Sequence, residues 1–313
     1  MNKILSLIFI FLFISLNFLA ENPKHRYRFQ QGQCAYNAIY NQKTDIDLLI
    51  IGGSRFWTVM NPQIIQKEME KKYFRKLNIV SLSRNWSGPD YSYVVLRDLL
   101  EKRKVKKILI MAEPKLSETY HLLYYSIAKF KDRAEIIISN KNQNLFFNIS
   151  DYLKMTFKQL LDLSIKSNIK DKIVNSYGYS CLNEVSNGVQ VNISKSYRYQ
   201  YKENYNKLKP IRFDIFDKEY SHSRYFFRKI KDLSNKYDTK LIFFHLLRLM
   251  DPLWDQKTYQ QWEKFYSSPI IKLPNQLRDT LYNNYSFYDG AHLNKNGMNI
   301  LLPWLSKHEY LKF

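Results

Sequence analysis

Asp47-Leu48-Leu49-Ile50-Ile51-Gly52-Gly53-Ser54-Arg55 is the stretch on which the fold turns. Residues 46–51 form an unbroken apolar run rich in β-branched side chains, the pattern of a strand buried on both faces of a parallel sheet. The run stops at two glycines, which can take φ values closed to other residues and so allow a sharp turn. Such a turn holds Ser54 at the carboxyl edge of the strand with its hydroxyl exposed. Open α/β sheets bind ligands at that edge, and the Ser54 and Arg55 N–H groups open the next helix, where an oxyanion can be received. Read alone, Gly-Gly-Ser is also the signature of a plain βα turn in which Ser54 does no more than cap a helix.

Working outward, Asn61-Pro62 is a strong helix start for the pattern that runs to Tyr73. Residues 77–83 read as a second strand, Asn85-Trp86-Ser87-Gly88 as its turn, 90–100 as a second helix and 107–112 as a third strand. Strand, helix, strand, helix, strand, joined by right-handed crossovers, builds a parallel sheet covered on both faces. The expected fold class is therefore α/β, a three-layer α/β/α sandwich. A mixed insertion spans about 115–236, with helical patterns at 116–130 and 151–166 and a short strand at 136–139. Its stretch 176–205 interleaves Tyr and Arg, which suits either stacking on sugar rings or a half-buried hairpin. A helix near 219–236 then returns the chain to a core strand at 240–245. Residues 21–313 read as one domain, its core at about 44–114 and 237–313.

The far end of the chain supplies Tyr288-Asp289-Gly290-Ala291-His292-Leu293-Asn294, a loop opening a terminal amphipathic helix at about 298–305. A carboxylate three residues before a histidine can accept from Nδ1–H and leave Nε2 facing a serine. Ser54, His292 and Asp289 are thus the set needed to activate a hydroxyl as a nucleophile. His245, at the end of a strand, is the rival base; with no carboxylate before Asp251 it reads as a substrate contact or an edge histidine, alongside Arg248 and Arg55. Metal-ligand spacing is absent, with no His-x-x-x-His and no Cys-x-x-Cys, and no cofactor motif occurs.

With Ile51-Gly52-Gly53-Ser54 at one end and Asp289-Gly290-Ala291-His292 followed by Leu-Asn at the other, the chain resembles the SGNH (GDSL-like) hydrolase superfamily. The resemblance implies Ser54 as nucleophile, His292 as base and Asp289 as its orienting partner. It also implies an oxyanion site formed by the Ser54 amide and a glycine amide after the second strand, which here is Gly88. The family's third block offers an asparagine after the next strand, where this chain has Glu113-Pro114. Either the Ser54 and Gly88 amides act alone, or Asn85 substitutes, or activity is weak or absent. This pattern is nearest to the DltD-like and AlgJ/AlgX-like branches, which work in acyl transfer to cell-envelope polymers beside membrane O-acyltransferases. The implied function is an exported esterase or O-acyltransferase acting on an envelope polymer or glycan. The alternative is a catalytically weak basic adaptor for such a polymer or for a membrane O-acyltransferase.

Met1-Asn2-Lys3 followed by the uncharged apolar run 4–20 reads either as a secretory signal peptide or as an uncleaved membrane anchor. Both place the remainder outside the cytoplasm, in the periplasm, at the cell surface or secreted. Two cysteines, Cys34 and Cys181, permit one disulfide but do not require it. Lys and Arg number 49 against 28 acids, a net charge of +21 that selects anionic partners. For an exported chain these are envelope polymers, acidic polysaccharides or lipid surfaces rather than nucleic acid. A Lys/Asn/Tyr/Ile-rich composition accounts for the same excess without any partner.

Overall fold

The computed structural model describes residues 21–27, 32–84, 87–113, 124, 127–129, 131–132, 221–249, 254–283 and 285–313. Residues 1–20, Asn85, Asp251, Cys181 and the expected elements at 136–139, 151–166 and 176–205 lie outside them, as does most of 116–130. Two short helices, α1 (Pro23–Arg26) and α2 (Gly32–Tyr36), precede β1 (Ile46–Ile51). Next come α3 (Ser54–Val59), α4 (Pro62–Tyr73), β2 (Ile79–Ser81), α5 (Pro89–Leu100) and β3 (Val105–Met111). The described chain resumes at α6 (Ser221–Lys236) and continues through β4 (Lys240–His245), α7 (Gln256–Tyr266), β5 (Ile270–Lys272), α8 (Asn275–Asn283) and α9 (Lys295–Leu305).

The strands make one parallel sheet in the order β2-β1-β3-β4-β5, with Ile50 opposite both Ser81 and Leu109, and Ile110 opposite Phe243. Period-two alternation sends each strand's apolar side chains to two cores. Leu49, Ile51, Ile108, Ile110 and Phe243 pack beneath α5, α6 and α7, among Val94, Phe227 and Trp262. Leu48, Ile50, Leu109, Ile242 and Phe244 pack on the other side with Ile65 of α4, Leu281 of α8 and Leu301 of α9. Helices therefore cover both faces of the sheet, and the fold is α/β.

The starts of α4 and α9 have a local reason. The Asn61 side chain accepts from the Gln63 and Ile64 amides with Pro62 in the first turn, and Asn294 does the same for Asn296 and Gly297. The sequence pattern did not call for α7, β5 or α8. In α7 only Thr258, Trp262 and Tyr266 are buried, a single stripe in an otherwise polar segment, and β5 is three residues long, too short to display alternation. The second strand is likewise shorter than the expected 77–83, pairing only over Ile79–Ser81.

A buried ionic network fastens the N-terminal arm to α5. Arg26 donates to Asp98 at 2.5 Å and to the Ile127 carbonyl at 2.6 Å, the Tyr27 hydroxyl donates to Asp98 at 3.0 Å, and Arg97 bridges Asp98 and Asp132. Cys34 in α2 is disulfide-bonded.

Candidate functional site at the carboxyl edge

The order of the strands reverses at β1, whose neighbours β2 and β3 lie on opposite sides. The carboxyl edge of β1 and β3 is thus the switch point at which an open α/β sheet forms its crevice. Ser54 stands there as the first residue of α3, with Gly53 as cap and the Gly53 carbonyl accepting from Phe56 and Trp57. The two glycines do not work as the sequence reading expected, because neither has positive φ and Gly53 is extended at φ −76°. Their role is close approach. A side chain on Gly52 would begin 2.8 Å from Met111 Cβ and 2.9 Å from the Phe56 ring, and one on Gly53 would begin 3.1 Å from the Ser87 carbonyl oxygen.

The loop carrying the histidine is built with equal tightness. Tyr288 N–H donates to the His292 carbonyl, and Asn294 N–H donates to the Ser286 carbonyl at 2.7 Å. Gly297 lets α9 close on this loop, since a Cβ there would lie 2.5 Å from the Ser286 carbonyl oxygen. Leu249 N–H, beyond β4, donates to the Gly290 carbonyl at 3.0 Å and so ties the loop to the sheet edge.

These two constructions bring Ser54 and His292 together across 238 positions of sequence: His292 Nε2 lies 2.8 Å from Ser54 Oγ. Its other nitrogen, Nδ1, lies 2.8 Å from Asp289 Oδ2 and 3.0 Å from Oδ1. Asp289 Oδ1 also accepts from the Ala291 and His292 amides, each at 2.7 Å. Burial alone raises the Asp289 pKa, but the bond to the His292 ring, the Ala291 amide and the histidine's charge outweigh it and hold the carboxyl down to about 2. Tyr288 stacks on the His292 ring at 5.4 Å. Both members of the pair remain open to solvent, His292 at 17% and Asp289 at 40% of the side chain.

The other expected site residues are distributed differently. Gly88 caps α5 in extended conformation, and the Ser87 hydroxyl donates to the Gly52 carbonyl at 2.8 Å, pinning the Ser87–Gly88 peptide against the serine turn. Asn85 lies outside the described residues. Arg55, read as a substrate contact, is corrected by its burial, and of the two readings of His245 the structure favours the edge histidine over the substrate contact. Arg55 is 3% exposed and its guanidinium donates to Glu113 at 2.7 Å and to the Leu246 carbonyl. His245 is 1% exposed, stacked on Trp254 at 3.8 Å, with Nδ1 2.8 Å from the Tyr259 hydroxyl. Burial and then the Arg55 charge push its pKa well down, so it sits in the core as a neutral ring. Arg248 does reach the edge, its side chain 39% exposed and its guanidinium 2.5 Å from Glu113.

Glu113 is the residue whose role the sequence reading missed. One carboxylate oxygen receives both Arg55 and Arg248, so a single buried acid joins the edges of β1, β3 and β4. Its partners are 58 and 135 positions away, and no local spacing signals them. Among the described residues no cluster of His, Cys, Asp and Glu could hold a metal ion. Compared with known protein families and with curated proteins, the chain finds no match.

Proposed function

We propose that the chain is an exported serine-dependent acyl-ester enzyme of SGNH type, an esterase or an O-acyltransferase for a cell-envelope polymer or glycan. The observation that carries this reading is the continuous chain from Ser54 Oγ through His292 to Asp289, with 2.8 Å at each link. Ser54 Oγ attacks the ester carbonyl carbon while His292 Nε2 takes its proton, and Asp289 stabilises the imidazolium on the other side. The imidazolium then returns the proton to the departing alkoxide, which leaves Ser54 acylated. Water or a polymer hydroxyl, deprotonated by His292, attacks the acyl-serine and restores the hydroxyl. Backbone amides at Ser54 and Gly88 are the donors suited to the developing oxyanion, where each well-placed donor is worth about 3 kcal/mol in hydrolases of this kind. The parallel sheet with helices on both faces and a site at its switch point supports the SGNH reading at the level of architecture.

The adaptor reading draws on Glu113, which is engaged by two arginines and takes the place of the family's asparagine donor. Hydrolysis of p-nitrophenyl acetate separates the two. The enzyme reading requires a burst of p-nitrophenolate stoichiometric with the chain and its loss in Ser54→Ala. Equal slow release from the wild type and Ser54→Ala would leave the adaptor.

A further inference from the structure

The edge of the sheet opposite Ser54 presents a second feature that the acyl chemistry does not use. Helix α4 runs back from the carboxyl edge and ends at Phe74, in the left-handed conformation with φ 51° and ψ 33°. That conformation is strained for an L-residue and is normally given to glycine or asparagine. Phe74 is nevertheless 94% exposed, and the only other large hydrophobic residue exposed among those described is Tyr285 at 50%. An aromatic ring that is both strained in backbone and bare to water does nothing for the folded state.

Its surroundings are cationic. Lys71, Lys72, Arg75 and Lys76 flank it in sequence and are all exposed. Arg75 and Lys107 lie over the Phe313 ring at 5.3 and 4.4 Å, Tyr73 meets the same ring edge-on at 6.3 Å, and Lys72 donates to the Lys307 carbonyl. Lys240 pairs with Lys107 across β3 and β4. Burial, then the charges of Lys240 and Arg75, push the Lys107 pKa down to about 8. Three acids lie near: Glu68 faces Lys71 at 3.4 Å, Asp47 faces Lys106 at 2.7 Å and Arg75 at 3.9 Å, and Glu70, within the field of Lys76, accepts from the Leu77 amide at 2.8 Å. The N-terminal arm packs on the same end of the molecule, with Arg26 and Tyr27 against Asp98 in the last turn of α5, and the apolar run 4–20 precedes that arm in sequence.

We infer that this amino edge docks on an anionic phospholipid bilayer, with Phe74 entering the interface and the surrounding Lys and Arg side chains engaging lipid phosphates. A ring at the headgroup level and basic residues against an anionic surface are the chemistry such a membrane recognises. A soluble polyanion satisfies the charges but gives the exposed ring no apolar phase, which is why the bilayer is the partner argued here. The inference stands independently of the Ser54 chemistry.

The test uses the full chain carrying Phe74→Cys labelled with an environment-sensitive NBD group, Cys34 being disulfide-bonded. Vesicles of phosphatidylcholine with phosphatidylglycerol should shift the label's emission to the blue and raise its intensity several-fold. Pure phosphatidylcholine vesicles should not, and adding Lys72→Glu and Arg75→Glu should abolish the response. No shift on either vesicle overturns the inference, as does an equal shift on both or a shift with soluble polyphosphate alone. Urea unfolding of the full chain with Phe74→Gly is the structural control: stability should be unchanged or higher, whereas a loss would make the ring a folding element.

Discussion

At the residue scale the account rests on a local pairing joined to a distant partner. Asp289 and His292 are three positions apart, and the same aspartate accepts the Ala291 and His292 amides, so the spacing nearly dictates the contact and was readable in the sequence. Ser54 was readable because it follows the two glycines that close a buried strand. Glu113 was not, since nothing near it in the chain announces two arginines brought in by tertiary folding. Because triad members act as a unit, the double variant Ser54→Ala/His292→Ala should be no slower in ester turnover than either single one, whereas additive losses in steady-state rates would show that the two act separately. Asp289→Asn should cut turnover by roughly 10⁴ with the fold retained, because the amide favours the wrong imidazole tautomer. The same variant tests the depressed pKa. A carboxyl lowered from 3.8 to about 2 by folding contributes stability that is complete above about 3.8 and is lost as pH falls through about 2. The gap in urea midpoint between wild type and Asp289→Asn should accordingly narrow as the pH falls below about 4.

At the scale of elements, what could be read was what repeats. The unbroken apolar runs gave β1, β3 and β4, and the Asn-Pro cap gave α4 to the residue, since these signals are local. Elements that depend on one apolar stripe or a three-residue pairing, α7 and β5, take their stability from the finished core and leave little trace in sequence. The glycines before Ser54 show how a correct assignment can carry the wrong reason. They are needed for contact with Met111 and Phe56, not for left-handed backbone. Gly52→Ala should therefore destabilise by about 1–3 kcal/mol through overpacking, read from denaturant midpoints, and should lower turnover further by displacing Ser54. Had positive φ been the reason, removing the Phe56 ring atoms at 2.9 and 3.0 Å with Phe56→Ala would relieve none of the Gly52→Ala cost; the contact geometry requires that the double variant lose less than the sum of the two single ones.

At the scale of the whole molecule, two edges of one sheet are given to different surfaces. Ser54, His292 and Asp289 lie at the carboxyl edge and the aromatic-cationic patch at the amino edge, about 20 Å apart by the rise of a six-residue strand. The buried Arg26–Asp98–Arg97 network holds the N-terminal arm to this body. Removing the shared acid leaves buried Arg26 with no carboxylate partner and Arg97 with Asp132 alone, so Asp98→Ala should cost about 3–5 kcal/mol in urea unfolding and leave the Ser54–His292 geometry, and hence the rate per folded molecule, intact. A loss below about 1 kcal/mol would show that water reaches the network. The central claim, that Ser54 is an activated nucleophile, is tested most directly by intact-mass analysis after treatment with a fluorophosphonate. The account predicts one covalent adduct, mapped to Ser54 by peptide sequencing and absent from both Ser54→Ala and His292→Ala; a folded wild-type chain that stays unmodified, or is modified elsewhere, would contradict it.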